Sequence, residues 1–180
     1  MKYLRTLMPL LGLAAALAAP QAQAAVGDDF FVMNTGDLII RFEGSDAGYN
    51  SLIRVNSSPE IFPNHSTPIG TEFNLGSFAA GTKLDVVLHV LNTGLFFHTG
   101  NGIGNIDAMA HANVFTDPTG RTFVSFEDLA GGGDMDFNDH VFSFATGTVG
   151  VIPEPSSLML TLAGLGVLGF LLTRLRNEGS

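Results

Sequence analysis

Of the 180 residues, 128 lie between two apolar terminal segments (1–24 and 153–180), about one domain's length and enough to bury a core. In that middle, fifteen Asp and Glu stand against four basic residues, Arg41, Arg54, Lys83 and Arg121, so its surface repels phosphate backbones and nucleic-acid binding is disfavoured. The absence of cysteine excludes a disulfide scaffold, a Cys-ligated zinc site and a thiol nucleophile.

The chain opens like a secretory signal. Lys2 and Arg5 precede an apolar run, Leu7–Ala19, and Ala22-Gln23-Ala24 places small residues where a signal peptidase cleaves. That run is short of the roughly 20 residues that span a bilayer, so cleavage after Ala24 is expected rather than an anchor.

Residues 25–152 read as one all-β extracellular domain. Leu84, Val86, Leu88 and Val90 alternate with Lys83, Asp85, Val87 and His89, a period of two that turns one face to a core. The segments Phe30–Met33, Asp37–Phe42, Ser51–Val55, Thr71–Leu75, Ala108–Phe115, Thr122–Phe126 and His140–Ala145 are further strand candidates, parted by turn residues such as Asn34-Thr35-Gly36 and Asp117–Gly120. Fifteen Phe without Trp and 22 Gly agree with many short strands joined by tight turns. Eight or nine strands at this spacing predict an antiparallel β-sandwich, jelly-roll-like. Phe96 and Phe97 are assigned to the core.

The densest chemistry is the string Phe126-Glu127-Asp128-Leu129-Ala130-Gly131-Gly132-Gly133-Asp134-Met135-Asp136-Phe137-Asn138-Asp139-His140-Val141-Phe142. Five carboxylates and an Asn fall within thirteen residues between two strands. So many acids in one turn repel one another unless a cation neutralises them, and oxygens at alternate positions suit a hard ion such as Ca²⁺. The opening D-x-D-x-N resembles an EF-hand loop, but Asp139 stands where that loop has Gly and Ala145 where it has Glu, so it is not one. The competing account is a solvated acidic hairpin closed by Asx-turns. The whole string resembles the signature of an uncharacterised extracellular domain family found in bacterial surface proteins and adhesins. That resemblance implies a β-sandwich with a calcium site whose ligands are Glu127, Asp128, Asp134, Asp136, Asn138 and Asp139. His140 stands where that family often has an aliphatic residue, and its role is open.

At the C-terminus, Pro153-Glu154-Pro155 precedes an apolar stretch, Leu158–Leu172, closed by Arg174 and Arg176. Lengthened to 157–173, the stretch is just long enough for a single transmembrane helix, with the two arginines held on the cytoplasmic side. In this order the three parts resemble the PEP-CTERM sorting signal of Gram-negative bacteria. The resemblance implies recognition by an exosortase, cleavage near Pro153–Pro155 and delivery to the cell surface or an exopolysaccharide-rich extracellular matrix.

Other chemistries lack support. The five histidines are not at ligand spacing, no G-x-S-x-G elbow exists, and Gly100–Gly104 is not a dinucleotide loop. Glu127 with Asp139 resembles a glycosidase pair in composition only. No catalytic residue is assigned, and the expectation is a non-catalytic structural or adhesive module with calcium as its cofactor. The alternative is a carbohydrate-binding module contacting exopolysaccharide, against which stands the scarcity of large exposed rings: no Trp and only two Tyr.

Overall fold

A computed structural model describes residues 26–151 and 164–166. The signal residues Ala22 and Ala24, the Pro153-Glu154-Pro155 motif and Arg174 and Arg176 lie outside the described residues, as does the 157–173 segment apart from Gly164–Gly166, which is helical. Among the described residues no helix is long and apolar enough to cross a membrane.

Among the described residues eleven strands follow in order: β1 (Phe30–Val32), β2 (Gly36–Gly44), β3 (Ser51–Val55), β4 (Glu72–Phe78), β5 (Lys83–Leu84), β6 (Val86–Val90), β7 (Leu95–His98), β8 (Ala112–Thr116), β9 (Thr122–Phe126), β10 (His140–Phe144) and β11 (Val149–Val151). They form three antiparallel sheets, β4-β2-β10-β9-β8, β3-β6-β7 and β11-β1-β5. The all-β antiparallel expectation holds at this level.

Residue pattern explains most of these strands. In β3, Ser51, Ile53 and Val55 are buried while Leu52 and Arg54 are half-buried, the alternation that a sheet with one core face requires. Phe97 is fully buried but its neighbour Phe96 is 42% exposed, so the pair assigned to the core is divided between the two faces of β7.

The single strand read over Lys83–Val90 is two, parted at Asp85. The Asp85 amide donates to Asn56 Oδ1 (2.9 Å) and its carbonyl accepts from the Asn56 amide (2.8 Å). This local exchange interrupts the ladder where the chain passes from pairing β1 to pairing β3 and β7. The strand expected over Ala108–Phe115 starts only at Ala112, because Ala108 takes a positive φ of 56° inside a compact loop.

One apolar cluster serves all three sheets. It joins Phe30 and Val32 of β1, Ile40 and Phe42 of β2, Leu88 and Val90 of β6, Val124 and Phe126 of β9, and Phe142 and Phe144 of β10. Phe30 and Phe144 meet at 5.8 Å between ring centroids, a contact between sheets worth about 1 kcal/mol beyond the area it buries.

Candidate functional site

Strands β9 and β10 are neighbours, with Phe126 opposite His140, so residues Glu127 to Asp139 form one long hairpin loop. Its first two residues, Glu127 and Asp128, are buried at the loop's root. Successive side chains in extended backbone point opposite ways, and the two carboxylates accordingly enter different surroundings.

Glu127 turns into the loop. Its Oε1 accepts the Phe137 amide, and its carboxylate forms a group with Asp134 and Asp136 in which one oxygen from each lies within 4.8 Å of the others. Gly133, at φ 53°, makes room for it: a Cβ there would lie 2.5 Å from Glu127 Oε2. Burial pushes the Glu127 carboxyl above its usual range, the Phe137 amide opposes this, and the charges of Asp139, Asp134 and Asp136 add to it.

Asp128 turns the other way. The Tyr49 amide supports it, its Oδ2 is buried without a partner, and the Asp139 carboxyl lies beside it. Burial, with the Asp139 charge, pushes Asp128 up to about 6, and burial likewise raises Asp139. The Asp128 amide donates to Asp139 Oδ2 (2.9 Å), and Ser45 Oγ donates to the Asp139 carbonyl (2.6 Å). Asn138 donates to Asp136 Oδ2 (2.5 Å). The six residues read from the sequence as one ligand set therefore fall into two clusters, Glu127 with Asp134 and Asp136, and Asp128 with Asp139, while Asn138 holds Asp136.

A second loop, between β7 and β8, braces the first. Asp107 Oδ2 accepts the Gly131 amide (2.7 Å) and faces His111 Nε2 (2.8 Å); His111 Nδ1 meets the Glu127 carbonyl (3.2 Å). The His111 ring is fully buried and stacks on Phe97 at 3.8 Å. The Gly131 amide and the His111 partner hold Asp107 down to about 2. Asp107, His111 and Tyr49 escaped the sequence reading because two of the contacts run through main-chain amides, which no residue type announces. The spacing of Asp107 and His111 was the one available signal.

The remaining histidines are engaged locally. His140, whose role the sequence left open, is fully buried between Phe42 and Phe142, with Nδ1 at 3.0 Å from Ser51 Oγ and Nε2 unpartnered. Burial drives its ring down to about 3, so it is a neutral core residue. His89 pairs with Glu60 and His98 with Asp85. Asn64, which opens an Asn-His-Ser triplet of the glycosylation-acceptor pattern, is buried and holds the Ser51 amide, Ser45 Oγ and the Tyr49 carbonyl.

Beyond the last strand the sequence carries an address. Residues 151–177 match the PEP-CTERM protein-sorting motif. The PEP-CTERM match takes in Pro153, Glu154, Pro155, Arg174 and Arg176 and begins on the last residue of β11. It implies an exported protein, anchored in a membrane as a precursor and processed by an exosortase. The match meets the β-domain only at Val151, so the likeness of residues 126–142 to a surface-domain signature stands on that string alone. No curated protein and no solved structure matches the chain.

Proposed function

We propose that the protein is a non-catalytic structural or adhesive module of the cell surface or extracellular matrix, with a calcium ion in the β9–β10 loop. The observation that carries this reading is the gathering of Glu127, Asp134 and Asp136 oxygens within 4.8 Å around a buried carboxylate. Ligands bonded at about 2.4 Å to one ion are at most about 4.8 Å apart, and all three donors are hard oxygens, as Ca²⁺ prefers. Asn138 orients Asp136, and in this reading carbonyls of the glycine run would complete the shell. The ion would supply charge neutralisation and no chemistry. In this reading the five-stranded sheet faces the two three-stranded sheets as a jelly-roll-like sandwich. The Phe30–Phe144 contact and the Ser51–His140 hydrogen bond between sheets support that arrangement. Matrix polysaccharide is the partner class that fits the destination.

The test is a thermal melt in EDTA and in millimolar Ca²⁺, repeated on the Asp134→Ala, Asp136→Ala double variant. An ion that binds only the folded state adds about 2.7 kcal/mol at a hundredfold excess over its Kd. The wild type should gain stability with Ca²⁺ and the double variant should not. Equal melting of the wild type in both buffers would remove calcium from this account.

A further inference from the structure

The β-domain carries two strongly exposed isoleucines on one loop, Ile103 at 82% and Ile106 at 75%. The loop that presents them is built rather than loose. Asn105 is buried and clamps its base: its side chain accepts the His98 amide (2.7 Å) and donates to the Met109 carbonyl (2.7 Å). A Cβ on Gly102 would lie 2.3 Å from the Met109 backbone, so the two arms of the loop touch below Ile103. The neighbouring β9–β10 loop, tied on through Asp107 and Gly131, adds exposed Leu129 and Met135. Isolated exposed apolar residues are ordinary, but several on two joined loop tips mark a contact surface.

The course of the chain says what that surface meets. Strand β11 runs antiparallel to β1, with Val149 opposite Val32 and Val151 opposite Phe30. Just before Phe30, Asp29 Oδ1 lies 2.9 Å from the Cβ position of Gly100, and Gly27 packs on Asn101 and Ala110. β11 therefore runs toward the end of the domain that bears the Ile103–Ile106 loop. Six residues on from Val151 the apolar stretch of the sorting segment begins, a reach of at most roughly 20 Å. A domain of this size is about 35 Å across, judged from its expected radius of gyration. The tether is too short to bring the far end of the domain to the membrane.

We propose that in the anchored precursor this end of the domain rests on the lipid surface, with Ile103 and Ile106 entering the headgroup region. The proposal rests on the membrane anchoring that the sorting motif implies. Asp107, Asp134 and Asp136 share these loops and are repelled by anionic headgroups, so the contact is made by the apolar tips.

Because the chain has no tryptophan, single substitutions give clean reporters. Full-length Ile103→Trp, Ile106→Trp and Ala80→Trp variants would be reconstituted into phosphatidylethanolamine–phosphatidylglycerol vesicles containing brominated lipid. Ala80 is exposed in the turn between β4 and β5, near the Gly36 end of β2, away from the loops. Flotation of the vesicles reads anchoring; fluorescence reads the face. Both isoleucine reporters should shift to the blue and lose at least half their emission to the quencher, with Ala80→Trp unchanged. Flotation without quenching at either isoleucine reporter overturns the proposal and leaves anchoring intact. Equal quenching at all three also overturns it. Failure to float removes the anchoring and the proposal together. Blue shifts that grow with protein concentration and ignore brominated lipid would assign the surface to a second copy instead.

Discussion

Asp128, near the start of the β9–β10 loop, and His140, the first residue of β10, are shifted in opposite directions. Asp128 is raised from 3.8 to about 6, so the folded state holds its proton more tightly than the unfolded chain does. Its favourable contribution is full below pH 3.8 and is lost as pH rises through 6. His140 is lowered from 6.5 to about 3, so its neutral burial favours folding above pH 6.5 and is lost as pH falls through 3. The two dependences overlap and oppose, and the wild-type pH profile alone does not separate them. Comparison with Asp128→Asn does. In EDTA, urea unfolding should find the variant more stable relative to wild type at pH 8 than at pH 4, by on the order of 2 kcal/mol. A pH-independent difference would show that the Asp128–Asp139 pair is not under the strain assigned to it. The residue types of this pair were plain in the sequence. Their separation from Glu127 was not, because it follows from the alternate directions of adjacent side chains leaving β9.

Between elements, the β7–β8 and β9–β10 loops hold each other through Asp107. Its carboxylate joins the Gly131 amide to the fully buried His111 ring, and His111 reaches the Glu127 carbonyl. Removing the carboxylate leaves the buried His111 Nε2 without its partner, which costs about 1–3 kcal/mol by the usual penalty for an unpaired buried polar group, while the exposed Gly131 amide turns to water. Asp107→Ala should lower the urea midpoint accordingly and weaken any Ca²⁺-dependent rise, since the Glu127 side of the loop loses its brace. Asp107→Asn, which retains an acceptor, should fall between. A midpoint unchanged in both variants would reduce the network to a surface contact. Of the strands beside these loops, β8, β9 and β10 were evident from alternation and turn residues. β7 and β11 were not, because four and three residues are too short to display a period, and Gly150 interrupts the second.

Across the molecule, the apolar cluster extends in sequence from Phe30 to Val149, so the fold closes on itself before the sorting segment begins. A chain ending after Val151 should melt within roughly 3 °C of the full-length protein, a difference below about 1 kcal/mol at this size. A chain ending after Thr148 loses buried Val149 and the β1–β11 pairing and should melt well below it, by on the order of 2–3 kcal/mol. Equal melting of the two truncations would mean that β11 adds nothing to the domain. The motif and the fold thus abut at Val151, where a single strand is both the last of the sheet and the start of the tether.

The sequence by itself determined the class of fold and the address. Both are written in local order: period-two alternation with turn residues between, and a Pro-Glu-Pro, an apolar run and two arginines in succession. It also located the acidic loop, because composition in one short window needs no partner to be read. The tertiary structure decided which of those acids meet. That depends on the direction each side chain leaves the strand, on room left at Gly133, on the Phe137 amide across the loop, and on the Tyr49 amide brought in from elsewhere along the chain. Main-chain donors have no residue identity, and spatial neighbours distant in sequence leave no spacing to find.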